Sequence, residues 1–129
     1  MKDKRPSGEI RHKELSFRIV GCAQRVHSAL GPGFPEKIYQ RALCCELMKT
    51  SIPFESQQPV EVYYDGNLCG EFQLDLLVDE KVIVELKSAE GLCDAHVAQA
   101  ITYLKATGKD LAILINFGQP GLVFKRVVL

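Results

Sequence analysis

Glu85 and Lys87 are two residues apart in the run VIVELKS (82–88), and ten residues upstream Asp75 stands between leucines in FQLDLLV (72–78). Residues two apart on a strand share a face, so Glu85 and Lys87 point one way while Val84 and Leu86 point the other. An acid in each of two paired strands is the minimum for holding a hard divalent cation through oxygen ligands. Taken singly, each signal has a plainer reading: an E-x-K in a strand is an ion pair, and an acid among leucines is a strand-edge charge or a local bend. Register separates the readings. A two-residue loop at Asp79-Glu80 sets Asp75 against Val84 and leaves Glu85 on the opposite side of the sheet. A three-residue loop, Asp79-Glu80-Lys81, or a bulge near Asp75 sets Asp75 across from Glu85. The second arrangement is the one expected.

Further polar residues fall at spacings that could serve the same site. Glu36, Tyr39 and Leu43 recur at i, i+3 and i+7, so Glu36 shares the inward stripe of its helix; an acid in a first turn also simply complements the helix dipole. Gln99 and Tyr103, at i and i+4, share one side of a later helix, either as a solvated flank or as groups that reach a phosphate. Arg11, Arg18 and Arg25 recur every seven residues along the first helix, a stripe that reads as a charged edge or as phosphate contacts, to which Lys105, Lys109, Lys125 and Arg126 could add.

The elements that must position these residues follow from periodicity. Residues 1–10 are polar, contain Pro6-Ser7-Gly8 and show no period, so a flexible N-terminal tail is expected, with a single domain over 11–129. From residue 14, Leu15, Ile19, Cys22, Ala23, Val26 and Leu30 form a helical stripe that ends at GPG (31–33). A second helix starts at Pro35 and runs to about residue 49, with Tyr39, Leu43 and Leu47 inward. Strands at 59–64, 70–78 and 81–87, broken by Asp65-Gly66 and Asp79-Glu80, make an antiparallel meander. A third helix at 94–107 carries Ala95, Ala98, Ile101 and Leu104 inward and closes at Gly108. LAILINF (111–117) has the continuous apolar character of a central strand covered on both faces, and GQPG leads into a last strand. The order ααβββαββ implies an α/β fold of mixed type, a mixed sheet flanked by helices.

Composition bounds the partners. The 129 residues suffice for one domain with a real core, and the formal net charge of zero advertises no polyanionic partner, so any nucleic-acid site must be local. The five cysteines lack paired metal-ligand spacing and read as reduced core thiols, which points to a cytoplasmic protein. The charged N-terminal residues resemble neither a signal peptide nor a membrane span, so no membrane association is expected.

Several stretches together resemble the GxxExxY proteins, small members of the PD-(D/E)XK nuclease superfamily: GPGFPEKIY with Gly33, Glu36 and Tyr39, then EFQLDLLVDEKVIVELKS, HVAQAITYLKATG, LINFG and FKRVV. The resemblance runs from about residue 14 to 126, and the order Glu36, Asp75, Glu85-x-Lys87, Gln99-x-x-x-Tyr103 is most similar to the RecB-type branch. It implies a restriction-endonuclease-like α-β-β-β-α-β core and a metal-dependent nuclease site acting on DNA. On that resemblance Asp75, Glu85 and the Leu86 carbonyl would ligate Mg²⁺ or Mn²⁺, with Glu36 bound directly or through water. Lys87 would position or polarise the attacking water, while Gln99 and Tyr103 would touch the phosphate backbone or brace Lys87. Leu74 stands where the motif's name has proline, no cysteine follows Tyr103 to build an iron–sulfur cluster, and His27, within the shared VH segment, is a weak candidate. No recognition helix is visible, so structure-selective or nonspecific cleavage is expected. One domain offers little area for holding a duplex, which leaves a homodimer open. The alternative function is a catalytically silent module of the same fold that binds nucleic acid or a protein partner.

Overall fold

The computed structural model describes residues 3–4 and 9–129. Its elements run α1 (Lys13–Leu30), α2 (Glu36–Lys49), β1 (Phe54–Tyr64), β2 (Asn67–Val78), β3 (Val82–Lys87), α3 (Asp94–Thr107), β4 (Leu111–Asn116) and β5 (Val123–Val127). The ααβββαββ order is the expected one. The five strands form one mixed sheet in chain order, with β3 and β4 parallel and the other pairs antiparallel. No helix is long and apolar enough to cross a membrane among the described residues.

The two faces of the sheet are covered by different helices. Val82, Val84 and Leu86 of β3, with Leu111, Ile113 and Ile115 of β4, pack against Ile19, Ala23, Leu43 and Leu47 of α1 and α2. The alternate residues Ile83, Ala112 and Leu114 pack against Ala100 and Leu104 of α3. Covering both faces is what makes β4 continuously apolar. Glu85 and Lys87 have the parity of Ile83 and therefore belong to the α3 side.

The connection between β2 and β3 is the three-residue loop Asp79-Glu80-Lys81, with Val78 paired to Val82 and Leu76 to Val84. Asp79 and Glu80 both take positive φ, and the Lys81 N–H returns to the Val78 carbonyl at 3.0 Å. Continuing this register by one residue brings Asp75 level with Glu85, the arrangement on which a two-acid site depends. The β1–β2 hairpin turns at Asp65-Gly66, both with positive φ, in the two-residue geometry that suits the twist of the strands.

Some expected details differ. In α3 the inward residues are Ala100 and Leu104 with Val97 and Ile101 beside them, whereas Ala95 and Ala98 are exposed. The helix is apolar over much of its circumference, so periodicity left its rotation poorly defined. The cysteines are free, as expected, but only Cys22 is buried, while Cys45, Cys69 and Cys93 are exposed. Arg11 precedes α1 and is not on the helical stripe with Arg18 and Arg25. Of the expected flexible tail, residues 1, 2 and 5–8 lie outside the described residues; Asp3 is bonded to Arg126, and Lys4 bridges to Ile10.

Candidate active site

Asp75 and Glu85 meet where β2 and β3 part. The Asp75 N–H donates to Glu85 Oε2 at 2.8 Å, and the Leu86 N–H donates to Asp75 Oδ2 at 2.8 Å. Each carboxylate thus accepts from the facing strand's backbone beyond the last ladder pair, and this fixes the two side chains beside each other. On the other side of Asp75, β2 pairs with β1 through Gln58↔Leu74 and Ser56↔Leu76, while Gln57 between them adopts φ 54°. Leu74 packs on the α3 side and Leu76 on the opposite side, although their parity is the same. The strand therefore twists at Asp75, as a residue beside an irregularity in the ladder does.

Burial and like charge dominate the electrostatics. Glu85 is only 4% exposed, and its carboxyl is pushed up to about 8, first by burial and then by Asp75; the Asp75 N–H and Lys87 pull it back, and Glu36 adds a small further push. The Asp75 carboxyl is also raised by burial, against the Leu86 N–H and Lys87. A pair of acids held together at this cost is what a cation would relieve. With one oxygen of each bonded to backbone, the remaining carboxylate oxygens supply hard donors of the kind Mg²⁺ or Mn²⁺ takes, so the residues fit such an ion. Leu86, whose carbonyl was expected to ligate, holds Asp75 through its N–H.

Glu36 is a partial exception to what was expected. It is exposed at the start of α2 and not on the inward stripe, and among the described residues no three His, Cys, Asp or Glu side chains gather closely enough to hold a metal. Its charge is felt at Glu85, and it lines a cleft of about 630 Å³ with Phe34, Ser88, Glu90 and Gly118, a lining that does not include Asp75, Glu85 or Lys87.

From α3, Gln99 bonds to Lys87 and Tyr103 lies against β2. Lys87 Nζ donates to Gln99 Oε1 at 3.0 Å. The Tyr103 ring stacks on Phe72 at 4.4 Å, and its hydroxyl is raised by burial and then by the charges of Glu85 and Asp75.

Gly33, Glu36 and Tyr39 form one mechanical unit. Gly33 takes φ 112°, a conformation suited to glycine. The Tyr39 hydroxyl accepts from the Phe34 N–H at 3.1 Å and donates to the Gly31 carbonyl, while its ring stacks on Phe117 at 4.5 Å. Ser88 Oγ donates to the Phe34 carbonyl at 2.9 Å, tying this turn to the end of β3. The turn that presents Glu36 is thus clamped from both sides.

Three supporting residues were not singled out from sequence. Gln40, buried on α2, donates to the Asp75 carbonyl at 3.4 Å and accepts from Gln57 at 3.0 Å. Its position four residues after Glu36 was the available signal. Asn116 accepts from the Ala89 and Gly118 N–H groups and donates to the Ala89 carbonyl. A Cβ at Gly118 would lie 2.3 Å from the Ala89 carbonyl, so glycine is required at that approach.

Other candidates lie elsewhere. Arg18 donates to the Thr50 carbonyl, and Arg25 contacts Cys22 and Glu46, all at the far end of α2 from Glu36. Arg11 pairs with Asp110 before β4. His27 is buried, bonded to the Gln119 carbonyl and near the Phe117 ring. Lys109 donates to the Glu80 carbonyl, Lys105 and Lys125 are exposed, and Arg126 holds Asp3.

Residues 13–127 match the PD-(D/E)XK nuclease superfamily. The chain belongs to this superfamily. The match spans the acid pair, Lys87 and the α3 residues in one unit, and PD-(D/E)XK nucleases generally use divalent metals. No curated protein matches the chain in sequence. Among solved structures, the crystal structure of SSO0001 superimposes with a TM-score of 0.57 at 18% identity, over 71% of this chain and 48% of that one, a likeness of fold. The chain spans about half the length of that protein. The alkaline exonuclease LHK-Exo from Laribacter hongkongensis gives a TM-score of 0.46 at 11% identity, over 88% of this chain and 81% of that one.

Proposed function

We propose that this PD-(D/E)XK protein is a metal-dependent nuclease that hydrolyses DNA phosphodiesters in a structure-selective or nonspecific manner, and that the Gly33, Glu36, Tyr39 spacing places it among the GxxExxY proteins. The observation that carries the reading is that the Glu85 carboxylate accepts from the Asp75 N–H and the Asp75 carboxylate from the Leu86 N–H, with Lys87 on the same face as Glu85.

Asp75 and Glu85 would hold the metal, each oriented by a backbone N–H. Glu36, whose charge is felt at Glu85, would contribute through an intervening water. A bound Mg²⁺ or Mn²⁺ supplies charge neutralisation on the phosphate and a lowered pKa for bound water. Lys87, held by Gln99, would orient the attacking water and stabilise the negative charge that develops on it. Tyr103, fixed by its stack on Phe72, would contact a phosphate oxygen through its hydroxyl.

The test is a cleavage assay on single-stranded, duplex, flap and junction DNA with Mg²⁺ and with Mn²⁺, beside Lys87→Ala protein purified identically. Metal-dependent cutting that disappears in the variant is the expected result. Equal cutting by both proteins, or none by either alongside no calorimetric metal binding, would leave the fold without the proposed chemistry.

A further inference from the structure

Asp75 sits where the sheet forks. β2 pairs with β3 only from Leu76 to Val78, so from Asp75 outward the strand depends on β1 alone. On that side too the ladder is interrupted. Ser56↔Leu76 and Gln58↔Leu74 flank Asp75, and Gln57, the residue between their β1 partners, takes φ 54° in place of an extended conformation. No ladder pair among the described residues includes Asp75. Backbone groups outside a ladder need other partners, and Asp75 finds both in side chains: its N–H donates to the Glu85 carboxylate and its carbonyl accepts from Gln40.

Gln40 is 8% exposed on α2, and its amide bridges the two strands at this point. Nε2 donates to the Asp75 carbonyl at 3.4 Å, and Oε1 accepts from Gln57 Nε2 at 3.0 Å. A carbonyl can only accept, so the Gln40 nitrogen must face Asp75; its oxygen is left for Gln57, which must present nitrogen in turn. The donors therefore run in one order, Gln57 to Gln40 to Asp75. A non-glycine residue at positive φ is strained and persists where its surroundings hold it, and the bond from the Gln57 side chain to α2 is one such hold. The helix that carries Glu36 thus also grips the strand that carries Asp75.

We infer that Gln40 and Gln57 are positioning residues for Asp75: the two amides fix the bend of β2 at Asp75 and so keep its carboxylate beside Glu85 for a divalent cation. The role rests on the reading of Asp75 and Glu85 as metal ligands. Outer partners of a metal ligand set about 10- to 100-fold in affinity. At 3.4 Å the bond to Asp75 is long, so the lower end of that range is expected.

Calorimetric titration of the full chain with Mn²⁺ tests it, beside amide hydrogen exchange of the metal-free protein in chelator. Gln40→Met keeps the length of the side chain without its amide and should weaken Mn²⁺ binding by about 10-fold. Gln57→Gly takes the positive φ without strain, so the backbone is kept while Gln40 loses its partner; binding should weaken by about 3-fold. The double variant should match Gln40→Met alone, because Gln57 acts through Gln40. Without metal, the Asp75 and Leu86 amides should exchange about 10-fold faster in Gln40→Met, while those of β4 keep their wild-type protection. A folded Gln40→Met protein that binds Mn²⁺ as wild type does overturns the inference and leaves the nuclease reading standing. So does protection lost evenly across the sheet, the mark of a residue that only packs, or a double variant in which the two losses multiply. If circular dichroism shows Gln40→Met unfolded, Gln57→Gly decides alone, and an unchanged Mn²⁺ affinity overturns the role. Wild type that binds no Mn²⁺ overturns this role and the nuclease reading together.

Discussion

Asp75 and Glu85 each accept a backbone N–H from the other's strand, at 2.8 Å in both directions. The two acids are locked side by side by the same bonds that end the pairing of β2 with β3, so they cannot relieve their repulsion by rotating apart.

The repulsion makes the metal-free protein sensitive to pH. Glu85 is raised from 4.5 to about 8, so across that window the folded protein holds a proton that the unfolded chain has released. A raised acid of this kind makes stability fall as pH rises, by at most about 1.4 kcal/mol per pH unit, with the full benefit present below the unfolded value. Asp3 is lowered by Arg126 and so acts below this window. Melts in chelator should show a lower Tm at pH 8 than at pH 5.5; a flat or rising profile would contradict the burial of a charged pair.

Glu85→Gln should raise the metal-free Tm at pH 8 by the few degrees that correspond to about 1 kcal/mol, because it removes the like charge and keeps an oxygen for the Asp75 N–H. At pH 5, where Glu85 is already protonated, the variant should gain nothing. Comparing the two proteins at both pH values is the measurement.

Millimolar Mg²⁺ or Mn²⁺ should stabilise wild type by mass action, by about 1.4 kcal/mol at tenfold the dissociation constant. Asp75→Asn should melt higher than wild type in chelator and scarcely respond to metal. Equal metal shifts in the two proteins would remove Asp75 from the ligand set.

Lys87→Ala should lower cleavage by about 10²-fold or more while leaving calorimetric metal binding intact, since an ammonium is no ligand. Gln99→Ala frees the amine without removing it and should cost less, about 10-fold. If the Gln99 variant is the more damaged of the two, Gln99 touches substrate directly.

Tyr39→Phe leaves the Phe34 N–H and the Gly31 carbonyl unsatisfied at the turn before α2 and should destabilise by about 1–3 kcal/mol in denaturant unfolding. Unfolding at the wild-type midpoint would show that the turn is held by the Ser88 bond alone.

What the sequence determined by itself is local or periodic. Alternation put Glu85 and Lys87 on one face, three-to-four spacing defined α1 and α2, Asp65-Gly66 marked the hairpin, and a continuous apolar run marked β4 as an interior strand covered on both faces, although β3 and not β4 is the middle strand; each follows from backbone geometry that neighbours in sequence already share. What only the tertiary structure decided is rotation, register and reach. The loop between β2 and β3 could hold two residues or three, and pairing across both faces selected three. The apolar circumference of α3 left its rotation open until packing on Ile83 and Leu114 turned Ala100 and Leu104 inward, with Gln99 bonded to Lys87 and Tyr103 stacked on Phe72. Glu36 had a helical spacing that suggested burial, yet its place in the first turn leaves it exposed, in the lining of a cleft that does not include the acid pair. Gln40 and Asn116 gained their roles only when residues 35 and 27 positions away in sequence, Asp75 and Ala89, came within hydrogen-bonding distance, since such contacts depend on how elements dock and not on the pattern within any one of them.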